Sequence, residues 1–291
     1  MNPAALYLAS GDSLYPGAAF LVLAVAWPSL PVRKLRLLRS LTTWIGFVLI
    51  VMACPPISTW VVAVFLAAFS LWLIAKNQVL VGSAWIWLCL AATCVLLVWL
   101  VAVPFSELLH RHMPALAGQP SDHLVVIGDS ISSGLDARTP AWPIFFQLQT
   151  AIPVRNLSRP GAGVLEAQTI ARQATPQDTL ILIEIGGNDL LSGMSSSEFG
   201  PDLDSLLSSL SAPARTLVMF ELPLLPHKIG FGQIQRRLSA KYGAFLIPRH
   251  FFTRVLGGAD ATSDGLHLTE SGARMMSALV AQTLSPVLKI H

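Results

Sequence analysis

The first 104 residues carry almost no charge. Asp12 is their single acidic side chain, and Arg33, Lys34, Arg36, Arg39 and Lys76 are their five basic ones. With a mean hydropathy of +0.61 over the whole chain, this is more apolar than a soluble domain needs. The rest of the chain carries fourteen basic and fifteen acidic residues, so the net charge of +3 comes from the front third. No basic patch with interleaved aromatics occurs, which excludes a nucleic-acid partner. Cysteine is scarce too. Cys54, Cys89 and Cys94 all precede Pro104 in apolar stretches, so the remainder has no disulfide framework or cysteine metal site. The three read as small buried apolar side chains. His110, His112, His123, His227, His250 and His291 have no metal-ligand spacing to cysteines or acids. No metal and no cofactor are expected.

Long apolar runs fill the charge-poor part, at residues 16–31, 41–54, 57–75 and 83–103. The last two have about the 20 residues that a ~30 Å hydrocarbon layer requires. Pro55-Pro56 separates the second run from the third, since proline blocks continuation of a helix. Trp44, Trp60, Trp72, Trp85, Trp87 and Trp99 lie mostly toward run ends, where amphipathic rings favour the interface. The string VRKLRLLR, residues 32–39, reads as a short basic loop and belongs on the cytoplasmic side. If every run crosses, the chain leaves the bilayer on the outer face after Pro104. That describes a multi-pass protein of a bacterial inner membrane with its C-terminal domain in the periplasm. If the short second run only dips into the bilayer, the domain is cytoplasmic. A cleaved signal peptide is disfavoured, because the charges follow the first apolar run instead of preceding it. VMAC, residues 51–54, looks like a lipoprotein cleavage site, but it is internal and two apolar runs follow. The expected organisation is a membrane region at 1–104 with about four transmembrane helices, a linker at 105–121, and a domain at 122–291.

In that last part short apolar runs alternate with helical patterns. HLVVIG, VRNLS, TLILIEIGG, TLVMFELP and AFLIP read as strands. WPIFFQLQTAI, VLEAQTIARQA, DLDSLLSSL, IQRRLSAKYG and TESGARMMSALVAQTLSPVL read as helices. Such alternation predicts an α/β fold, a parallel sheet with helices on both faces. Ligand sites in such sheets lie beyond the carboxyl ends of the strands.

Chemistry-bearing residues fall at those ends. A Gly-Asp-Ser triplet occurs twice, at residues 11–13 and 128–130. The first sits on a tail beside an apolar run, with no strand before it, and reads as a polar turn near a helix cap. The second follows the first strand, where Ser130 can present a nucleophilic hydroxyl. That hydroxyl needs an adjacent base, which His267 can supply. Asp264, three residues earlier, can fix the imidazole tautomer. Backbone N–H groups of Ser130 and Gly161 and the Asn188 amide can face a tetrahedral oxyanion. Asp129 and Asp189 read as turn-holding groups, and Glu184 as a structurally paired acid within a strand. The segment LLSGMSSSEFG, residues 190–200, reads equally as an ordinary loop or as a border of the substrate pocket.

Four ordered blocks carry a resemblance: VVIGDSISSG, the glycine of NLSRPGAG, IEIGGNDLL and DGLH. Together they resemble the SGNH (GDSL-type) esterase and lipase family over about residues 123–288. The first and third blocks, with AWP at 141–143, are similar in wording to its bacterial thioesterase and lysophospholipase branch. The resemblance implies a flavodoxin-like three-layer sandwich with a parallel sheet, behind an all-α transmembrane region. It implies Ser130 as nucleophile, Gly161 and Asn188 completing the oxyanion hole, and Asp264 and His267 finishing the triad, without metal or cofactor. The second block also offers Gly163, but counting from Asn156 favours Gly161. The expected partners are an ester substrate (lipid, glycan or small acyl ester) and the lipid bilayer. The expected function is a membrane-anchored serine esterase. Two alternatives are an O-acyltransferase that uses the same triad to acylate an envelope glycan, and a non-catalytic assembly or binding module that kept the fold.

Overall fold

The computed structural model describes residues 3–26, 33–77, 83–113, 115–134 and 140–289. Pro31, Val32, Pro114 and His291, singled out above, lie outside the described residues. Five helices come first: α1 (Pro3–Ala9), α2 (Leu14–Ala26), α3 (Arg33–Ala53), α4 (Thr59–Asn77) and α5 (Ser83–Leu109). Two of them, α3 and α5, are long and apolar enough to cross a membrane; α1 and α2, bent by 78° at their junction, make a third if taken as one span. The apolar part of α4, Thr59–Ala75, is shorter. By length and composition, then, two or three of the expected four stretches qualify. The basic run differs from its reading as a loop. Residues 33–39 form the first turns of α3, which makes the second stretch a helix of 21 residues and about 30 Å long.

The helices pack through small and aromatic residues. Gly17 of α2 and Gly46 of α3 meet so closely that an added Cβ on either would lie about 3.0 Å from backbone of the other helix. Phe47 stacks on Phe69 at 4.7 Å, and Phe65 meets Trp99 in a tilted contact at 4.3 Å. Leu37, Trp44, Trp60, Trp87, Val98 and Val101 point outward and stay exposed. An apolar outer surface around an apolar interior suits a lipid surround. The first Gly-Asp-Ser triplet forms the turn between α1 and α2. Ser13 Oγ donates to the Leu49 carbonyl of α3 at 3.0 Å, and Asp12 pairs with Arg111.

The α/β part follows in this order: β1 (Leu124–Gly128), α6 (Ser130–Ser133), α7 (Trp142–Thr150), β2 (Val154–Asn156), α8 (Val164–Ala171), β3 (Leu180–Glu184), α9 (Gly187–Leu191), α10 (Ser196–Leu210), β4 (Thr216–Phe220), α11 (Ile229–Tyr242), β5 (Phe245–Ile247), α12 (Arg249–Leu256) and α13 (Glu270–Leu284). The strands form one parallel sheet in the order β2-β1-β3-β4-β5. Alternate strand residues feed two cores. Leu124, Val126, Leu182 and Val218 pack with Trp142, Phe146 and Met276 on one face. Val125, Ile127, Ile183 and Met219 pack with Phe199, Leu203 and Phe231 on the other. Burial on both faces explains why these strands read as continuous apolar runs. Three elements extend past their sequence reading. α5 continues through Pro104 to Leu109, α10 begins at Ser196, and α12 lies in a segment that carried no helical reading.

The two parts share their interior. Leu6 belongs to one core of the α/β part and Cys54 to the other. Arg236 of α11 donates from both Nη atoms to Glu107 of α5, at 2.7 and 2.9 Å, and from Nε to Glu221 at 2.8 Å. Glu221 also accepts the Arg249 backbone N–H at 3.1 Å, and Arg249 Nη2 donates to the Ala53 carbonyl at 2.9 Å. The side chains of Arg236, Glu107 and Glu221 are only 15, 9 and 2 % exposed. Removing one partner of such a set leaves an uncompensated buried charge. Glu107→Ala is therefore expected to destabilise the full chain by about 3–5 kcal/mol, read as a lowered unfolding midpoint in detergent. An unchanged midpoint would contradict a buried pair.

Candidate active site

The chain leaves β1 at Gly128 and turns at once into α6. Asp129 caps that helix, its Oδ1 accepting the Ile131 N–H at 2.9 Å, and Ser130 becomes the first helical residue. Ser130 Oγ lies 3.1 Å from His267 Nε2, and His267 Nδ1 lies 2.6 Å from Asp264 Oδ2. A carboxylate can only accept, so Nδ1 carries the ring proton and Nε2 is free to accept from Ser130. Asp264 also accepts the N–H groups of Leu266 and His267, at 2.9 and 2.8 Å. The His267 backbone N–H, then its side chain, holds the Asp264 carboxyl well below the usual carboxylate range. The turn is closed from outside by Ser263 N–H on the His267 carbonyl at 2.9 Å.

The glycines of the second block differ in kind. Gly161 has φ +76°, and a Cβ there would meet nothing within 4 Å. Gly163 has ordinary extended backbone, but a Cβ would press on Asp189 Oδ1 at 2.7 Å. Backbone conformation demands glycine at 161, and lack of space demands it at 163. Asp189 takes the Val164 N–H on both oxygens, at 3.1 and 3.0 Å, and so ties the start of α8 to α9. Among the described residues, neither the Ser130 nor the Gly161 backbone N–H has an acceptor. Asn188 is different. Its Nδ2 donates to Asp129 Oδ2 at 3.1 Å and to the Ala162 carbonyl at 3.0 Å.

Behind these residues runs a buried polar chain that the sequence did not reveal. Trp142 Nε1 donates to Ser132 Oγ at 3.0 Å, and Ser132 Oγ donates to Glu184 Oε2 at 2.8 Å. The Glu184 carboxyl hydrogen-bonds Asp129, which carries Asn188. Glu184 is the cross-strand partner of Gly128, so its side chain lies beneath the nucleophile turn. Burial, then the neighbouring Asp129 charge, raises Glu184 well above its ordinary value, and burial raises Asp129. Glu184 therefore keeps its proton to higher pH than an exposed glutamate does. No sequence period announces this pairing; the one signal was an acid inside an apolar strand. The segment 190–200 is also more structured than a loop. Ser195 and Glu198 form a reciprocal cap that starts α10. Among the described residues, no group of three His, Cys, Asp or Glu side chains could hold a metal ion.

A parallel sheet in this order, with a serine, a histidine and an aspartate in a hydrogen-bonded row at its carboxyl edge, defines an ester hydrolase of the SGNH type. Residues 126–275, more than half of the chain, match the GDSL-like Lipase/Acylhydrolase family, and the chain belongs to that family. Esterase TesA of Pseudomonas aeruginosa is 29% identical over 181 residues, which cover 57% of this chain and 89% of the relative. Thioesterase 1/protease 1/lysophospholipase L1 of Escherichia coli is 24% identical over 203 residues, 63% of this chain and 96% of its own length. The crystal structure of TesA superposes with a TM-score of 0.51 at 27% identity, covering 57% of this chain and 99% of that one. A psychrotrophic esterase EstA from Pseudoalteromonas sp. gives 0.50 at 20% identity, covering 57% and 98%, and shares the fold. The family match begins at residue 126 and leaves α1–α5 outside it.

The raised Glu184 carboxyl has a measurable signature. A carboxyl whose folded pKa exceeds its unfolded value binds more protons when folded, so stability falls as pH rises above the ordinary 4.5 of Glu184 toward the folded value. Glu184→Gln keeps a donor toward Asp129 and an acceptor for Ser132, and is expected to flatten this slope while preserving turnover. Glu184→Leu strands both partners and should lower turnover about tenfold or more. Unfolding midpoints from pH 5 upward, compared between wild type and Glu184→Gln, check the first point. Parallel slopes would contradict a raised Glu184 carboxyl.

Proposed function

We propose that this chain is a membrane-anchored serine ester hydrolase that cleaves an acyl or acetyl ester of an envelope lipid or glycan through a covalent acyl-enzyme. The observation that carries the reading is the unbroken row from Asp264 through His267 to Ser130. Ser130 Oγ attacks the ester carbonyl while His267 Nε2 takes its proton. Asp264 keeps the ring oriented and stabilises the imidazolium. The free N–H groups of Ser130 and Gly161 face the oxyanion. Asn188 joins them by exchanging its bond to the Ala162 carbonyl for a stronger one to a charged oxygen, while Asp129 holds its other N–H. His267 then protonates the leaving alcohol. Water, deprotonated by the same imidazole, attacks the acyl-enzyme and frees the acid.

Anchoring is supported by the two or three helices apolar enough to cross a bilayer. The side is supported by polarity along α3. Lys34, Arg36 and Arg39 begin that helix, and Ala53, its last residue, is held by Arg249 of the hydrolase part. With the basic end cytoplasmic, a crossing α3 puts the hydrolase on the periplasmic face of a bacterial inner membrane.

In detergent-solubilised full chain, Ser130→Ala is expected to abolish hydrolysis of p-nitrophenyl esters. Asn188→Ala should lower kcat about 100- to 1,000-fold. Ser13→Ala, whose hydroxyl is spent on Leu49, should leave turnover at the wild-type level. Persistent turnover in Ser130→Ala would overturn the mechanism. Release of free acid identifies hydrolysis, and an acylated sugar acceptor would identify transfer instead.

A further inference from the structure

The helical region could dock on the α/β part anywhere, and the edge it chooses is informative. Glu221 directly follows β4 and Arg249 nearly directly follows β5. These two residues hold Glu107 of α5, through Arg236, and the last carbonyl of α3. Leu224, in the loop after β4, donates its N–H to the Ala9 carbonyl at 3.2 Å. In the first half of α11, Gly232 lies against Pro56, and Gln233 bonds the Ile57 carbonyl. All of these contacts involve loops at the carboxyl edge of the sheet or the helices that leave it. Ser130 and Asn188 follow β1 and β3 on that same edge. Strands stand about 4.8 Å apart, so β1 lies on the order of 10 Å from β4.

The contacting ends of the helical region also agree with one another. They are the turn before α2, the end of α3, residues 56–57 before α4, and the end of α5. One end of the bundle therefore meets the carboxyl edge, and the bilayer boundary runs beneath that edge.

Three large apolar side chains stand exposed at the starts or ends of the helices that frame the mouth. Ile144 is in the first turn of α7, Leu165 is two residues past Gly163, and Leu191 is three past Asn188; they are 52, 63 and 58 % exposed. Phe105, Leu108 and Leu109 continue the exposed apolar surface at the end of α5, beside Glu107.

We infer that the catalytic mouth faces the chain's own bilayer, with Ile144, Leu165 and Leu191 seated in its outer surface, and that the substrate is an amphiphilic ester taken from that leaflet. The statement about substrate rests on the hydrolytic reading above; the orientation does not. The occupant is lipid because the apolar rim lies at the same carboxyl edge of the sheet that the bundle end meets. Interfacial seating of this kind needs only a few apolar side chains beside an anchor that already fixes position.

The test uses full chain reconstituted in phosphatidylcholine–phosphatidylglycerol vesicles. Leu165→Glu with Leu191→Glu is expected to leave p-nitrophenyl acetate turnover within about twofold and to lower turnover of a vesicle-borne long-chain ester by about tenfold or more. Equal losses on both substrates, or none on either, would overturn the inferred substrate source. A second readout is independent of catalysis. An environment-sensitive dye at Leu165→Cys or Leu191→Cys, in a Cys89→Ala, Cys94→Ala background, should be quenched by brominated lipid. The same dye at Arg172→Cys, exposed at the far end of α8, should not. Absence of quenching at both rim positions overturns the orientation. Quenching at the rim together with wild-type chain that hydrolyses neither ester overturns the hydrolytic reading and leaves the orientation standing.

Discussion

Gly128 pairs with Glu184 across the parallel contact of β1 with β3, and the site is built on that one register. It sets an acid under the turn that presents Ser130. The acid is buried, so it must be neutral or paired. Burial, then the neighbouring Asp129 charge, favours its neutral form. Asp129 can then cap α6 with one oxygen and orient Asn188 with the other. A shift of one residue would turn the Glu184 side chain to the opposite face of the sheet and leave Asp129 without this partner. The Ser130 turn and the Asn188 side chain are therefore positioned by the same pair of strands.

The second constraint is the seam. A hydrolase tethered by a flexible linker would sample many orientations above a membrane. Here the connecting helix α5 runs unbroken to Leu109, and its Glu107 is bound by Arg236. Leu6 and Cys54, from the helical part, complete the two cores of the α/β part. Buried ion pairs are poor sources of net stability, because desolvation offsets most of the attraction. Their geometric demand is strict, however, and the set around Arg236 and Arg249 fixes one docking angle where an apolar contact would allow several.

What was legible in the sequence follows from periodicity. The three inner strands β1, β3 and β4 could be read because burial on both faces makes them continuous apolar runs, and the edge strands β2 and β5 by their place between helical patterns. Ser130, Gly161, Asn188, Asp264 and His267 could be singled out because they follow strands or sit in a short turn before a helix. The missing elements lack such signals. α12 is only eight residues long and buries Arg249, His250 and Thr253 beside Phe252, Val255 and Leu256, so its apolar stripe is too short to read as a helix. The start of α10 is hidden in a run of small polar residues and rests on the Ser195–Glu198 cap. The basic run looked like a loop because its four charges are mixed with its four apolar residues in no regular order, yet residues 33–39 form the first turns of α3. The seam could not have been read at all. Arg249 and Ala53 are 196 positions apart, and Arg236 and Glu107 are 129 apart.

The two Gly-Asp-Ser triplets show how little a short string decides by itself. Both aspartates accept hydrogen bonds and both serines carry the same hydroxyl. At the first triplet, Asp12 pairs with Arg111, and Ser13, fully buried, donates to a helix carbonyl. No base can reach that oxygen, and its proton already has an acceptor. At the second, Asp129 caps α6 and accepts from Asn188, and Ser130 stays partly open with His267 Nε2 3.1 Å away. A serine hydroxyl becomes a nucleophile only where something can take its proton as the bond forms. The strand before the triplet, the register beneath it and the turn holding His267 supply that condition at one site and withhold it at the other.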